Sequence, residues 1–154
     1  MRKFDKFYID GNWVDPSGSA KIEVLSSSSE EVMGEVPNGN ASDAEAAIAA
    51  ARRAFDGHWG ETSVEERGGW IAKLAGGLQE RMMDISSTIS EEVGTPITMA
   101  MAMQGGLPIM VTSSYCDILP SVEWEREIGN SLVVKEPIGV VAAITPWNYP
   151  LHQI

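Results

Sequence analysis

Cysteine is nearly absent from this sequence: Cys116 stands alone among 154 residues. A single thiol excludes an internal disulfide framework and fits a reducing compartment, so the cytoplasm is the expected location. Basic residues are scarce as well. Eleven Lys and Arg face 22 Asp and Glu, for a net charge of −11. The cations are scattered rather than gathered into a stripe, which argues against nucleic acid and anionic membrane as partners. No apolar run reaches the roughly 18 residues of a spanning helix. The start Met1-Arg2-Lys3 is followed by Asp5 and Lys6 rather than by the apolar stretch of a secretory signal. Neither G-x-G-x-x-G nor a P-loop occurs. His58 and His152 have no Cys or second His at ligand spacing, which leaves a metal site little support.

What is present is patterned. Phe7-Tyr8-Ile9, Asp10-Gly11 and Asn12-Trp13-Val14 read as two short strands around a tight turn. Lys21 to Leu25, the polar stretch Ser26 to Glu31, and Glu31 to Val36 read as a second hairpin and its loop. From Ser42 the period becomes helical. Ser42-Asp43-Ala44-Glu45 has the form of a capping box, and Ala44, Ile48, Ala51 and Phe55 then share one face. Ser63-Val64-Glu65-Glu66 repeats the device, with Ile71, Leu74, Ala75, Leu78 and Met82 as the apolar stripe.

That second helix carries Gly68, Gly69, Gly76 and Gly77. At up to ~1 kcal/mol each against Ala, they require packing rather than propensity to hold it. A third helix is expected over 84–92, closed by Gly94 and Pro96, and a fourth from Leu107 or Pro108 to Leu119, stopped by Pro120. Met99, Met101 and Met103 alternate with small residues ahead of Gly105-Gly106. Gap-filling core packing is preferred for them over a Met-rich binding surface.

The last third returns to strand. Leu132 to Lys135 is a short β segment between Asn130 and Pro137, and Ile138 to Ile144 is a continuous apolar run. Such a run suits a central strand buried on both faces of a parallel sheet. No second run of this kind accompanies it, so the sheet is expected to be incomplete. The chain closes on Thr145-Pro146-Trp147-Asn148-Tyr149-Pro150. On the residues alone this is a turn ahead of a helix.

These residues carry a family resemblance. The stretch from Gly129 through Val140 and on to Ile144-Thr145-Pro146-Trp147-Asn148-Tyr149-Pro150 resembles the NAD(P)-dependent aldehyde dehydrogenase superfamily. Ile9 to Val14, Ala49 to Phe55 with Trp59, Glu65-Glu66-Arg67, and Glu91 to Pro96 agree with it in the same order. The resemblance covers nearly all of the chain and about the first third of a typical member. It implies an α/β fold: β-hairpins, a helical segment, an oligomerisation strand, and the first buried strand of a Rossmann-like parallel sheet, incomplete as given. The implied divisions are 1–128 for the N-terminal part of the cofactor-binding domain, 129–137 for the oligomerisation strand, and 138–154 for the buried strand and its turn. An ordinary edge strand remains the alternative for 131–136.

The resemblance further implies a reaction: an aldehyde is oxidised through a thiohemiacetal on a cysteine, hydride passes to NAD or NADP, and water releases the acid. By match, Asn148 is the oxyanion donor, and Ile144, Thr145, Pro146, Trp147 and Asn148 lie along the cofactor. Glu92 is matched weakly to a monovalent cation site. The intact relative is expected to be a homo-oligomer acting on a small-molecule aldehyde. The nucleophile, expected in a Gly-Gln-x-Cys type stretch, and the base, in a Glu-Leu-Gly-Gly type stretch, are both absent from this sequence. Cys116 sits within an expected helix and reads as a small buried thiol. Two readings follow. The chain is the N-terminal portion of an aldehyde dehydrogenase, inactive alone, or it is a non-enzymatic truncated homologue serving as an oligomerisation or docking module. Coding DNA that continues past Ile154 into a Gly-Gln-x-Cys stretch is the expected outcome of sequencing, and a stop followed by unrelated sequence refutes it.

Overall fold

The computed structural model describes residues 2–154. Strand β1 (Arg2–Lys3) opens it, followed by the hairpin of β2 (Phe7–Ile9) and β3 (Asn12–Val14). Asp10 and Gly11 both take positive φ, 54° and 75°, as a type I′ turn demands. Tyr8 faces Trp13 across this hairpin with ring centroids 5.2 Å apart. The second hairpin joins β4 (Lys21–Leu25) to β5 (Val32–Pro37), antiparallel from Lys21↔Pro37 to Leu25↔Val32. Arg2–Lys3 adds to it in parallel, opposite Gly34 and Glu35. The sequence offers no strand signal for so short a segment.

Helix α1 (Ala41–Asp56) starts two residues earlier than expected. Its cap is Asn40, whose Oδ1 accepts from the Ser42 and Asp43 amides at 2.9 and 3.3 Å, while the Asp43 carboxylate accepts from the Asn40 amide at 3.0 Å. The 42/45 box is therefore replaced by a 40/43 box. The loop between β3 and β4 selects it: Ser17 donates its amide to Asp43 at 2.8 Å and its hydroxyl to Asn40 at 2.9 Å. The Asn40 amide, then that of Ser17, holds the Asp43 carboxyl below the ordinary aspartate range. Those bonds favour the charged form.

A 3-10 turn (His58–Glu61) leads to α2 (Val64–Glu80), capped as expected by Ser63 and Glu66. Helix α2 runs unbroken through its four glycines because it packs along α5 (Leu107–Ile118). A side chain at Gly69, Gly76 or Gly77 would meet nothing within 4 Å. The chain breaks at Arg81 and re-enters as α3 (Met82–Val93), so Met82 opens a new helix rather than completing the α2 stripe. Gly94, at φ +82°, closes α3, and Ser27 of the β4–β5 loop covers its end by donating to the Glu91 carbonyl at 3.2 Å.

Beyond α3 the backbone makes a helical turn, α4 (Ile97–Met99), that widens into a π-helical segment (Ala100–Gly106) and tightens again into α5. This segment buries Ala100, Gln104 and Gly105 against α3 and turns Met99 and Met103 outward, 55% and 41% exposed. The expectation of methionines as core filler fails for Met99 and Met103, because Ala100, Gln104 and Gly105 take the inward face, while Met101 is half-buried. After a 3-10 turn (Leu119–Ser121), β6 (Glu125–Ile128) and β7 (Ser131–Val134) form an exposed hairpin around Gly129-Asn130. Strand β6 was not legible as a strand in the sequence.

Residues 138–144 have no strand partner among the described residues, and Ile138 and Ile144 are 94% and 95% exposed. The expected burial of this run is not realised, since a strand with no neighbours cannot be buried on either face. The apolar face of α1 is likewise open, with Ile48 exposed and Ala51 and Phe55 turned towards Gly139, Val140 and Val141. The accessible surface is 10,979 Å², against about 7,600 Å² for a closed monomer of this mass. The buried apolar side chains, among them Ala75, Ile89, Ala100 and Ile109, lie mainly in the α2–α3–α5 layer. No helix among the described residues is long and apolar enough to cross a membrane.

Three substitutions test these assignments by urea unfolding. Asn40→Ala is expected to cost about 1 kcal/mol and Ser42→Ala almost nothing, whereas Gly76→Ala is expected to stabilise by up to ~1 kcal/mol. Asp43, depressed in the folded state, stabilises at pH values above the ordinary aspartate range and loses that contribution as pH falls through its own lowered value. The stability gap between wild type and Asp43→Asn should close on acidification and stay constant at neutral pH.

Candidate functional site

The closing segment is shaped by its prolines. Pro146 and Pro150 restrict Thr145 and Tyr149 to extended backbone and remove two amide donors. A short turn results, secured by Gln153 donating to the Tyr149 carbonyl at 3.3 Å and Ile154 to the Leu151 carbonyl at 3.4 Å. Tyr149 and His152 meet edge to face, 6.5 Å between centroids, and Tyr149, Pro150, Leu151 and His152 are half-buried.

The link that fixes this turn to the body comes from elsewhere in the chain. Gln104 Nε2 donates to the Asn148 main-chain carbonyl at 2.9 Å. Gln104 belongs to the π-helical segment and is 3% exposed. Its Oε1 is buried without a hydrogen-bond partner among the described residues. An unpaired buried acceptor costs roughly 1–3 kcal/mol, so a methionine or leucine would suit this position better on stability alone. Sequence reasoning passed over Gln104. The available signal was a lone amide in a run of Ala and Met, and only the fold shows what it meets 44 residues away.

Placement of Gln104 depends on its neighbour. A Cβ at Gly105 would collide with the Ser86 hydroxyl and come within 3.2 Å of Met82 Cγ. Glycine at 105 is what allows the π-helical segment to lie on α3. Such wide turns recur at functional sites because they rotate one side chain out of helical register.

Asn148 is exposed, and its side-chain amide has no partner among the described residues. Ile144, Thr145, Pro146 and Trp147 are exposed beside it, with Trp147 78% exposed. Together they present an apolar and aromatic strip ending in an unpaired amide, a combination that can line a planar ring and donate to a developing oxyanion. Glu92 lies in the last turn of α3, exposed, and takes no part in holding the Asn148 turn. Cys116 is half-buried between α5 and α2, its thiol 3.8 Å from the Gly68 carbonyl. Among the described residues no cluster of His, Cys, Asp and Glu could hold a metal ion.

The profile of the aldehyde dehydrogenase family matches residues 13–154, from the first hairpin through the Asn148 turn. The chain belongs to the aldehyde dehydrogenase family. It is 38% identical over 157 residues to a 3-succinoylsemialdehyde-pyridine dehydrogenase of a Pseudomonas species, covering all of itself and 32% of that protein. It superposes on aldehyde dehydrogenase C from Pseudomonas syringae, solved as a cysteine-to-alanine mutant with NAD+ and octanal, with a TM-score of 0.93. That match has 40% identity and covers 97% of this chain and 30% of the other. A Mycobacterium tuberculosis aldehyde dehydrogenase complexed with NAD+ matches with a TM-score of 0.92 and 36% identity, covering 98% of this chain and 32% of its own. The chain thus spans about a third of the length of the relatives it matches.

Gly105→Ala should separate α3 from the π-helical segment. An unfolding free energy lowered by about 1–3 kcal/mol is expected, and an unchanged one would show that the close approach at Ser86 is dispensable.

Proposed function

We propose that this chain supplies the N-terminal part of the cofactor-binding domain of an NAD(P)+-dependent aldehyde dehydrogenase that oxidises a small aldehyde to its carboxylic acid. In this reading 1–128 is the domain's N-terminal part, 129–137 the oligomerisation strand, and 138–154 the first sheet strand with its turn. The observation that carries it is the turn itself: the unpaired amide of Asn148 next to the exposed Ile144–Trp147 strip, in a chain of this family.

Asn148 donates to the oxyanion as the aldehyde carbon becomes tetrahedral. Its amide suits the task because it is already free of protein partners, and removing one such donor typically costs about 10² to 10³ in rate. NAD(P)+, when bound, would supply the hydride acceptor. Ile144, Thr145, Pro146, Trp147 and Asn148 form one wall against it, and the exposed apolar surface of Ile144 and Trp147 fits a planar ring. The cysteine nucleophile and glutamate base belong to sequence outside this chain, so the 154-residue chain alone is inactive. Glu92, exposed at the carbonyl-rich end of α3, is the candidate ligand to a monovalent cation.

The hairpin of β6 and β7 supports assembly into a homo-oligomer, since Leu132, Val133 and Val134 are exposed along it. The same hairpin is what a non-enzymatic docking module would use. That alternative leaves the Asn148 turn without a role.

The purified 154-residue chain is expected to form no NAD(P)H from any aldehyde. The full-length enzyme carrying it is expected to turn over and to lose about 10² to 10³ in kcat on Asn148→Ala. Turnover by the 154-residue chain, abolished by the same substitution, would refute the proposal.

A further inference from the structure

We propose that Gln104 is a positioning residue for Asn148, fixing the main chain from which the oxyanion-binding amide projects; this rests on the role given to Asn148 above. The contact is specific. Gln104 Nε2 donates to the Asn148 carbonyl at 2.9 Å, and the opposite orientation of the carboxamide would set Oε1 against that carbonyl, two acceptors face to face. Since Oε1 has no partner among the described residues, it is the Asn148 carbonyl that sets the orientation of the carboxamide. Gln104 is itself rigid: it is 3% exposed, on a segment clamped to α3 through Gly105 and Ser86.

The consequence for Asn148 is geometric. Its carbonyl lies in the planar peptide unit joining it to Tyr149. Holding that oxygen removes the main freedom left to a residue whose flanks are set by Pro146 and Pro150. The Asn148 Cα–Cβ direction is thereby tied to the α3 layer, although nothing holds its side chain directly. A displacement of about 1 Å at a reacting group can cost on the order of 10² in rate, and a half-ångström tolerance is typical of catalytic constellations.

A positioning role predicts that stability and activity separate. In the full-length enzyme, Gln104→Met removes the donor together with the unpaired buried acceptor. Its unfolding temperature should be unchanged or higher, with kcat lowered about 10-fold or more and the KM for NAD(P)+ held within about twofold. Gln104→Met combined with Asn148→Ala should be no slower than Asn148→Ala alone, because the two residues act through one interaction. Gln104→Glu gives a readout independent of folding losses. Its introduced carboxyl can donate to the Asn148 carbonyl only when protonated, so its activity relative to wild type should rise as pH falls, while that of Gln104→Met stays flat.

Retention of kcat within about twofold in Gln104→Met, or a double variant that loses the product of the two single losses, overturns the proposal. Should Gln104→Met fail to fold, a flat relative pH profile for Gln104→Glu overturns it equally. Full activity in Asn148→Ala overturns the oxyanion reading and this inference with it. A large loss in Asn148→Ala beside none in Gln104→Met overturns this inference alone.

Discussion

The close approach of the π-helical segment to α3 is the contact on which the remaining arrangement depends. Ala100 and Gly105 are small enough to let Ala100–Gly106 lie on Ser86 and Met82. That seating buries Gln104, sends Met99 and Met103 outward, and sets the direction in which α5 departs to meet α2. Through the Gln104 carboxamide the same seating reaches the Asn148 turn. One buried alanine, one glycine and one hydrogen bond thus connect a helical layer to a candidate catalytic amide.

Around this layer the chain is open. The α1 face, the run from Ile138 to Ile144 and the β6–β7 hairpin expose apolar side chains that a closed domain would bury. Hydrophobic burial is the dominant favourable term in folding, and here it is concentrated in α2, α3 and α5. With the chain spanning about a third of its relatives, the proposal that further sequence covers these faces accounts for the excess surface without a special property of the exposed residues.

Elements with local causes were legible from sequence. The Asp10-Gly11 and β4–β5 hairpins, the Ser63 cap, the Gly94 terminus and the Pro108 and Pro120 boundaries all follow from turn and cap chemistry within a few residues. Elements whose cause lies far along the chain were not. Asn40 outcompetes Ser42 as a cap because Ser17 reaches both Asn40 and Asp43. Strand β1 exists only through pairing with Gly34 and Glu35, and the π-helical widening depends on Ser86. The site divides in the same way. Asn148 was visible through its motif, whereas Gln104 needed a contact across 44 residues to acquire meaning. The Ile138–Ile144 run was read as buried from its composition, which registers what a strand would bury and not whether neighbours are there to bury it.

The chain divides into a helical layer that holds most of the buried apolar side chains and apolar faces that are open. Amide hydrogen exchange on the 154-residue chain and on the full-length enzyme measures that division directly. The account predicts slow exchange in α2, α3 and α5 in both, and near-unprotected exchange at 139–145 in the short chain that becomes strongly protected at full length. Protection of 139–145 in the short chain equal to that of α3 would contradict it.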